Sequence, residues 1–256
     1  ERQLVSDVPV GAMLSGGLDS SAVVALARQA DAGALTRCYS IGFEDGVDMD
    51  GSPSDMGYAE RVAHHLGVEL CPISIASDVI RHFERMIYTL DEPQADPAPI
   101  NVMLIAEQAR RDGIPVLLTG TGGDDLFSGY RRHGAQHLER YWGWAPAVLR
   151  RFGAATATRL PPVWAPLRRA RRVLENAHLS AADRLLSYFT WTTSNLRNSL
   201  YSRALLEELK GNDTLAPLRE SLMRIPAERN PLNQMLYLEA MHFLADHNLN
   251  YMDKAA

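Results

Sequence analysis

Residues 15 to 21 read Ser15-Gly16-Gly17-Leu18-Asp19-Ser20-Ser21, a run whose residue types suit a phosphate chain. Two adjacent glycines let the backbone turn sharply and bring its N–H groups close to an anion. Three hydroxyls add donors, and the helix-forming run from Ala22 to Ala27 would present its positive N-terminal end. Asp19 is the odd member, because a carboxylate repels phosphate unless a cation lies between them, and it calls for magnesium. A Walker loop would need a lysine after its last glycine, and the first lysine of this chain is Lys210.

A second glycine-rich turn follows the apolar run Val116-Leu117-Leu118: Thr119-Gly120-Thr121-Gly122-Gly123-Asp124-Asp125-Leu126-Phe127-Ser128-Gly129-Tyr130. On its own it reads as a tight turn that approaches a ligand with Asp124 aimed at it, and equally as a calcium-free acidic turn or a helix N-cap. Paired with the first loop it reads as the other half of a magnesium and pyrophosphate clamp, with Asp19 and Asp124 reaching the metal from two strand ends.

The elements that must carry these loops alternate in the first half. Strands are expected at Gly11 to Leu14, Thr36 to Gly42, Val68 to Ile73 and Pro115 to Thr119. Helices are expected at Asp19 to Ala30, Asp55 to Leu66, Ser77 to Leu90 and Ile100 to Arg111. This is the pattern of an α/β fold with a doubly wound parallel sheet, in which ligands bind beyond the carboxyl ends of the strands, where both loops fall. From His133 onward the strand signal stops and a mostly helical half follows, so the expected division is a nucleotide-binding region over 1–132 and a helical region over 133–256. Gly46 to Gly57 reads as a solvent-facing loop.

A chain of 256 residues, 46% hydrophobic, can bury a sizeable core. Its net charge of −5 argues against a general nucleic-acid surface, and no apolar run approaches the ~20 residues that cross a bilayer. A cytoplasmic protein with no membrane partner is expected. Cys38 and Cys71 lie singly in apolar runs and read as buried free thiols. His133 and His137 are four apart but lack a third ligand, so packing or surface roles are expected. Arg150, Arg151, Arg159, Arg168, Arg169, Arg171 and Arg172 read as a solvated helical face. The chain opens on Glu1 and closes within helical sequence, and it reads as a piece of a longer protein.

The first loop resembles the pyrophosphate loop of ATP pyrophosphatases. With the second loop, Tyr39-Ser40-Ile41-Gly42-Phe43, the run from Asp55 to Leu66 with Tyr58-Ala59-Glu60, and Asp91-Glu92-Pro93, the sequence resembles the synthetase domain of the glutamine-dependent asparagine synthetase family. The likeness is carried by the first half; beyond it only spacing and a closing segment, Leu244-Ala245-Asp246-His247 to Asp253-Lys254, contribute. It implies a sheet of the adenine-nucleotide α-hydrolase type, ATP and Mg2+ as the bound groups, and adenylation of a carboxylate, aspartate in the family. Ammonia would come from a glutaminase domain upstream of this chain; a homodimer stays open. Ser15, Gly16, Gly17, Leu18, Asp19, Ser20 and Ser21 would hold pyrophosphate. Met13 and Ile41 would flank adenine, Thr119 and Gly120 would touch the nucleoside through backbone groups, and Asp19 and Asp124 would be the catalytic, magnesium-binding pair. Met13 and Ile41 read equally as plain core residues.

Two departures from the family pattern bear on the acceptor. The acidic residue expected one after Gly120 is Thr121, which cannot act as a base near neutral pH; Asp125 is one candidate to replace it. In the closing segment Tyr251 stands where relatives carry a lysine, and Lys254 where they carry an arginine; this stretch reads as helix packing. The other readings are a β-lactam synthetase or peptide macrocyclase using an internal amine, a tRNA-modifying pyrophosphate-loop enzyme, and a nucleotide-binding scaffold.

Overall fold

The apolar runs of the first half become four parallel strands in the computed structural model, which describes residues 2–33, 35–43, 55–75, 79–92, 94, 96–157, 171, 174–192 and 194–256. They are β1 (Val10–Met13), β2 (Cys38–Phe43), β3 (Leu70–Ile75) and β4 (Val116–Leu118), in the order β3-β2-β1-β4. Register pairs Ala12 with Cys38 on one side and with Leu118 on the other. Successive strands run outward from β1 to β3, and β4 returns on the opposite side of β1. The order therefore reverses between β1 and β4, and the crevice beyond their carboxyl ends is where such sheets take ligands.

Helices α1 (Leu18–Ala30), α2 (Met56–Leu66), α3 (Phe83–Leu90) and α4 (Ala98–Arg111) follow the strands. Val24 and Ala27 of α1 and Ala59 and Ala63 of α2 bury with Val10, Ala12 and Cys38. Ile105 and Ala109 of α4 bury with Tyr39 and Ile114. Helices thus cover the sheet from two sides, as the alternating pattern predicts.

The chain groups into two compact units, Glu1–Asp124 with Phe243–Ala256, and Asp125–His242. A short helix, α5 (Gly123–Phe127), carries the second loop's carboxylates. The second unit is helical: α6 (Arg131–Leu138), α7 (Ala147–Ala157), α8 (Ala181–Ser187), α9 (Ser194–Leu200), α10 (Arg203–Glu208), α11 (Ala216–Met223) and α12 (Pro231–Leu238). Leu185, Leu186, Met235 and Leu238 form its apolar centre. Beside it, Arg132 donates to both oxygens of the fully buried Glu239 at 2.5 and 2.6 Å, and His133 Nε2 lies 3.1 Å from Glu239 Oε1. A π-helix, Glu239–Leu249, and α13 (Asn250–Ala255) close the chain.

The differences from expectation have local causes. Val68 is not in β3, because its N–H caps α2 by donating to Ala63 O after Gly67 turns left-handed at φ 61°. The helix expected to run to Leu90 is a 3-10 turn, Val79–His82, followed by α3, and its expected start at Ser77 lies outside the described residues. Most of the loop expected at Gly46 to Gly57 also lies outside them, as do Pro93, Arg159, Arg168, Arg169 and Arg172. Arg150 is not solvated as expected: it donates to Ala145 O, Ala177 O and Leu179 O at 2.8 to 3.0 Å. Arg171 pairs with Glu175 at 2.7 Å.

Cys38 is buried and Cys71 half-buried, both free. Burial pushes the Cys38 thiol up to about 11, so it holds its proton near neutral pH. His133 is buried, and His137 is exposed. Among the described residues no helix is long and apolar enough to cross a membrane.

Candidate functional site: two glycine loops at the sheet's reversal

The first loop leaves β1 and enters α1, and its shape depends on Gly16. That residue sits at φ +78°, and a Cβ there would run into the backbone of Tyr58 and Ala59 at the start of α2. The loop braces itself: Ser15 Oγ and Ser20 Oγ lie 3.0 Å apart, Gly17 N donates to Ser15 Oγ at 3.3 Å, and Ser15 N donates to Ser20 Oγ at 3.3 Å. Gly17 caps α1 with extended backbone and no side-chain bond, so N–H groups of the first turn remain for a ligand. Ser21 Oγ, in that turn, is buried without a hydrogen-bond partner among the described residues, a cost of about 1–3 kcal/mol that a bound group would relieve. Leu18 points to solvent.

The second loop leaves β4 and meets the first. A Cβ on Gly120 would lie 2.6 Å from Ser20 N, and one on Gly123 would overlap the Asp19 carboxylate. Only glycines permit this approach. It sets Asp19 against the residue that precedes Asp124, so the carboxylates called from two separate motifs come from neighbouring backbone. Magnesium takes one or two carboxylates and completes its shell with waters and substrate phosphate oxygens, so two carboxylates beside a phosphate-type loop fit the ion. No cluster of three or more His, Cys, Asp and Glu side chains that could hold a metal occurs among the described residues.

The remaining expected residues divide. Met13 packs against the Tyr39 cluster and against Val102, Met103 and Ala255. With Thr119 it also lines a groove of about 1150 Å3 along α4 and the closing segment. Ile41 packs between two core clusters and does not line that groove. Thr121 is tied to its own loop: its hydroxyl lies 2.8 Å from Thr119 Oγ1, to which its N–H donates at 3.1 Å. Asp125 is fully buried and accepts from Tyr130 at 3.1 Å, which suits a structural acid and not a base reaching substrate. Tyr251 packs against the core clusters of α3 and α4, and Lys254 pairs with Asp91.

The model of the family described as asparagine synthase matches residues 1–256. The chain belongs to the asparagine synthase family. Among curated proteins it is similar to asparagine synthetase [glutamine-hydrolyzing] 1 of Bacillus subtilis (strain 168), at 36% identity over 49% of this chain and 19% of that protein. It is similar to asparagine synthetase [glutamine-hydrolyzing] 3 of the same organism at 31% identity, over 56% of this chain and 25% of that protein. A match over 97% of this chain, at 26% identity, is to amidase chyE of Penicillium rubens, covering 39% of that protein. The chain thus spans well under half the length of these relatives. The two motifs pair Asp19 with Asp124 in the sequence already; what the fold adds is the contact of the Asp19 carboxylate with Gly123, the residue before Asp124.

Proposed function

We propose that this chain activates a carboxylate with ATP, releasing pyrophosphate, and hands the acyl group to an amine. The contact of the Asp19 carboxylate with Gly123, at the point where the sheet order reverses, carries the reading. A carboxylate is a poor acyl donor because its leaving group would be oxide. Its attack on the α-phosphorus forms the acyl-adenylate and expels pyrophosphate, and the amine then displaces AMP. The chain's own part is to position and neutralise.

In this reading Ser15, Gly16, Gly17, Leu18, Ser20 and Ser21 hold the phosphates through backbone N–H groups and hydroxyls. Asp19 and Asp124 hold Mg2+, which would neutralise charge building on the departing pyrophosphate. Met13 and Ile41 border the adenine, and Thr119 and Gly120 meet the nucleoside. The proposed acceptor chemistry is the asparagine synthetase one, aspartate with ammonia from glutamine, in the cytoplasm. A second reading, an internal amine as in β-lactam or macrocycle closure, is favoured by one observation. Thr121 offers a hydroxyl bonded to Thr119 and no acid where family members carry one.

The deciding experiment gives the intact protein magnesium-ATP and ammonia, with and without aspartate, and identifies the nucleotide product. Aspartate-dependent AMP and pyrophosphate support the asparagine synthetase reading, and Thr121→Glu should then raise that rate. AMP with another carboxylate only, and a Thr121→Glu variant inert with aspartate, moves the acceptor. ADP as product overturns the adenylation itself.

A further inference from the structure

The start of α2, with its Tyr58-Ala59-Glu60 run, stands against the first glycine loop. A Cβ on Gly16 would lie 2.6 Å from Tyr58 Cβ, so the Tyr58 side chain sets out from the loop itself. Ala59, fully buried, packs in the core with Ala63 and fixes the backbone there. Tyr58 is 55% exposed, and the Arg61 guanidinium lies over its ring at 4.5 Å from the centroid, from a position one helical turn along α2. Arg61 is exposed and makes no ion pair among the described residues, whereas Arg37, Arg85, Arg111 and Lys254 of the same compact unit are all paired with carboxylates.

A free cation at this place answers a deficit in the site. Neither Ser15 to Ser21 nor Thr119 to Tyr130 contains Lys, Arg or His, and Asp19 and Asp124 add negative charge to a ligand that is already a polyanion. The N-terminus of α1 offers only about half a positive charge. A Walker loop meets this need with a lysine of its own. Here the Tyr58 ring, rooted at Gly16, brings a guanidinium to the loop from a neighbouring helix. Arginine keeps its charge at any pH the protein meets, and its planar fork matches a pair of phosphate oxygens.

We propose that Arg61, held on the Tyr58 ring, is the side-chain cation of the pyrophosphate loop. Its guanidinium donates to oxygens of the β and γ phosphates and neutralises charge on the pyrophosphate as it departs. This rests on the first loop being a pyrophosphate site, the reading proposed above, and adds to it a residue from a third element. A cation–π pair that only braced the surface of α2 would affect stability and leave phosphate affinity alone.

The test is isothermal titration calorimetry of the intact protein with magnesium-pyrophosphate and, separately, with AMP. The wild type should bind pyrophosphate. Arg61→Gln should weaken that binding about tenfold or more while AMP affinity and the melting temperature hold, and Arg61→Lys should recover part of the loss. Tyr58→Phe should bind pyrophosphate as the wild type does, and Tyr58→Ala should weaken it, since the ring and not the hydroxyl carries the cation. Equal pyrophosphate affinity in the wild type and Arg61→Gln would overturn the proposal and leave the pyrophosphate loop standing. A matching loss of AMP affinity with a lowered melting temperature would make Arg61 a structural residue and overturn it as well. No pyrophosphate binding by the wild type would overturn both this proposal and the reading on which it rests.

Discussion

Asp19 is in contact with a glycine that precedes another carboxylate, so the site can be broken from either side of one contact. Asp19→Asn and Asp124→Asn each keep the side-chain volume and remove a charge. In the proposed mechanism each should cut pyrophosphate release by about a hundredfold or more while the melting temperature holds. Gly123→Ala should do comparable damage with both carboxylates present, because its methyl would take the space of the Asp19 carboxylate. Pyrophosphate release assayed across magnesium concentrations distinguishes the cases: if Gly123→Ala keeps wild-type rate and magnesium demand, Asp19 does not work from where it sits. The residue types of both loops were legible in sequence because glycine and aspartate side by side have few uses. The roles of Thr121 and Asp125 were not, because burial and the Thr119 and Tyr130 partners depend on the fold.

At the level of elements, α6 is tied to the first turn of the π-helix by a buried ion pair whose members are 107 residues apart in sequence. Gly129 N donates to His133 Nδ1, which leaves Nε2 as the donor facing Glu239. Burial pushes the Glu239 carboxyl up, but the hydrogen bonds from His133 and Arg132 outweigh it and hold the group below its ordinary 4.5. A depressed acid stabilises the fold fully above the unfolded value, about 4.5, and loses that contribution as the pH falls through the lower folded value. Arg132→Ala should therefore cost about 3–5 kcal/mol at neutral pH by stranding a buried charge. The double variant R132M/E239L should recover much of that loss and unfold less steeply in acid. Denaturant melts at neutral and acid pH check both statements, and an Arg132→Ala variant as stable as wild type would show the pair to be idle. Read from sequence, the stretch from His133 onward is mostly helical without bounds for the helices that carry this pair, and it holds no information about a partner so distant. Sequence periodicity likewise misjudged Arg150, because a charged residue on an amphipathic run is read as solvated until the carbonyls it satisfies are known.

For the whole molecule, the alternation of short apolar runs and helical runs was enough to foresee a doubly wound sheet, since a parallel pair demands a crossover and two sided covering demands helices. What alternation cannot foresee is that Phe243–Ala256 belongs to the first compact unit, because a closing helix carries no mark of the strands it will cover. That return has a thermodynamic consequence. Leu244 lies 3.3 Å from where a side chain on Gly122 would begin, and Ala255 buries with Val102 and Met103, so the closing segment and the second loop belong to one body. A ligand bound by the loops stabilises that body by mass action, about 2.7 kcal/mol at a hundredfold excess over its Kd. Magnesium-ATP should accordingly raise the melting temperature of the intact protein, and the rise should disappear in Asp19→Asn and shrink when magnesium is chelated. A rise that survives both changes would mean that ATP binds somewhere other than the loops of β1 and β4, and the proposed adenylation would lose its site even if AMP were still produced.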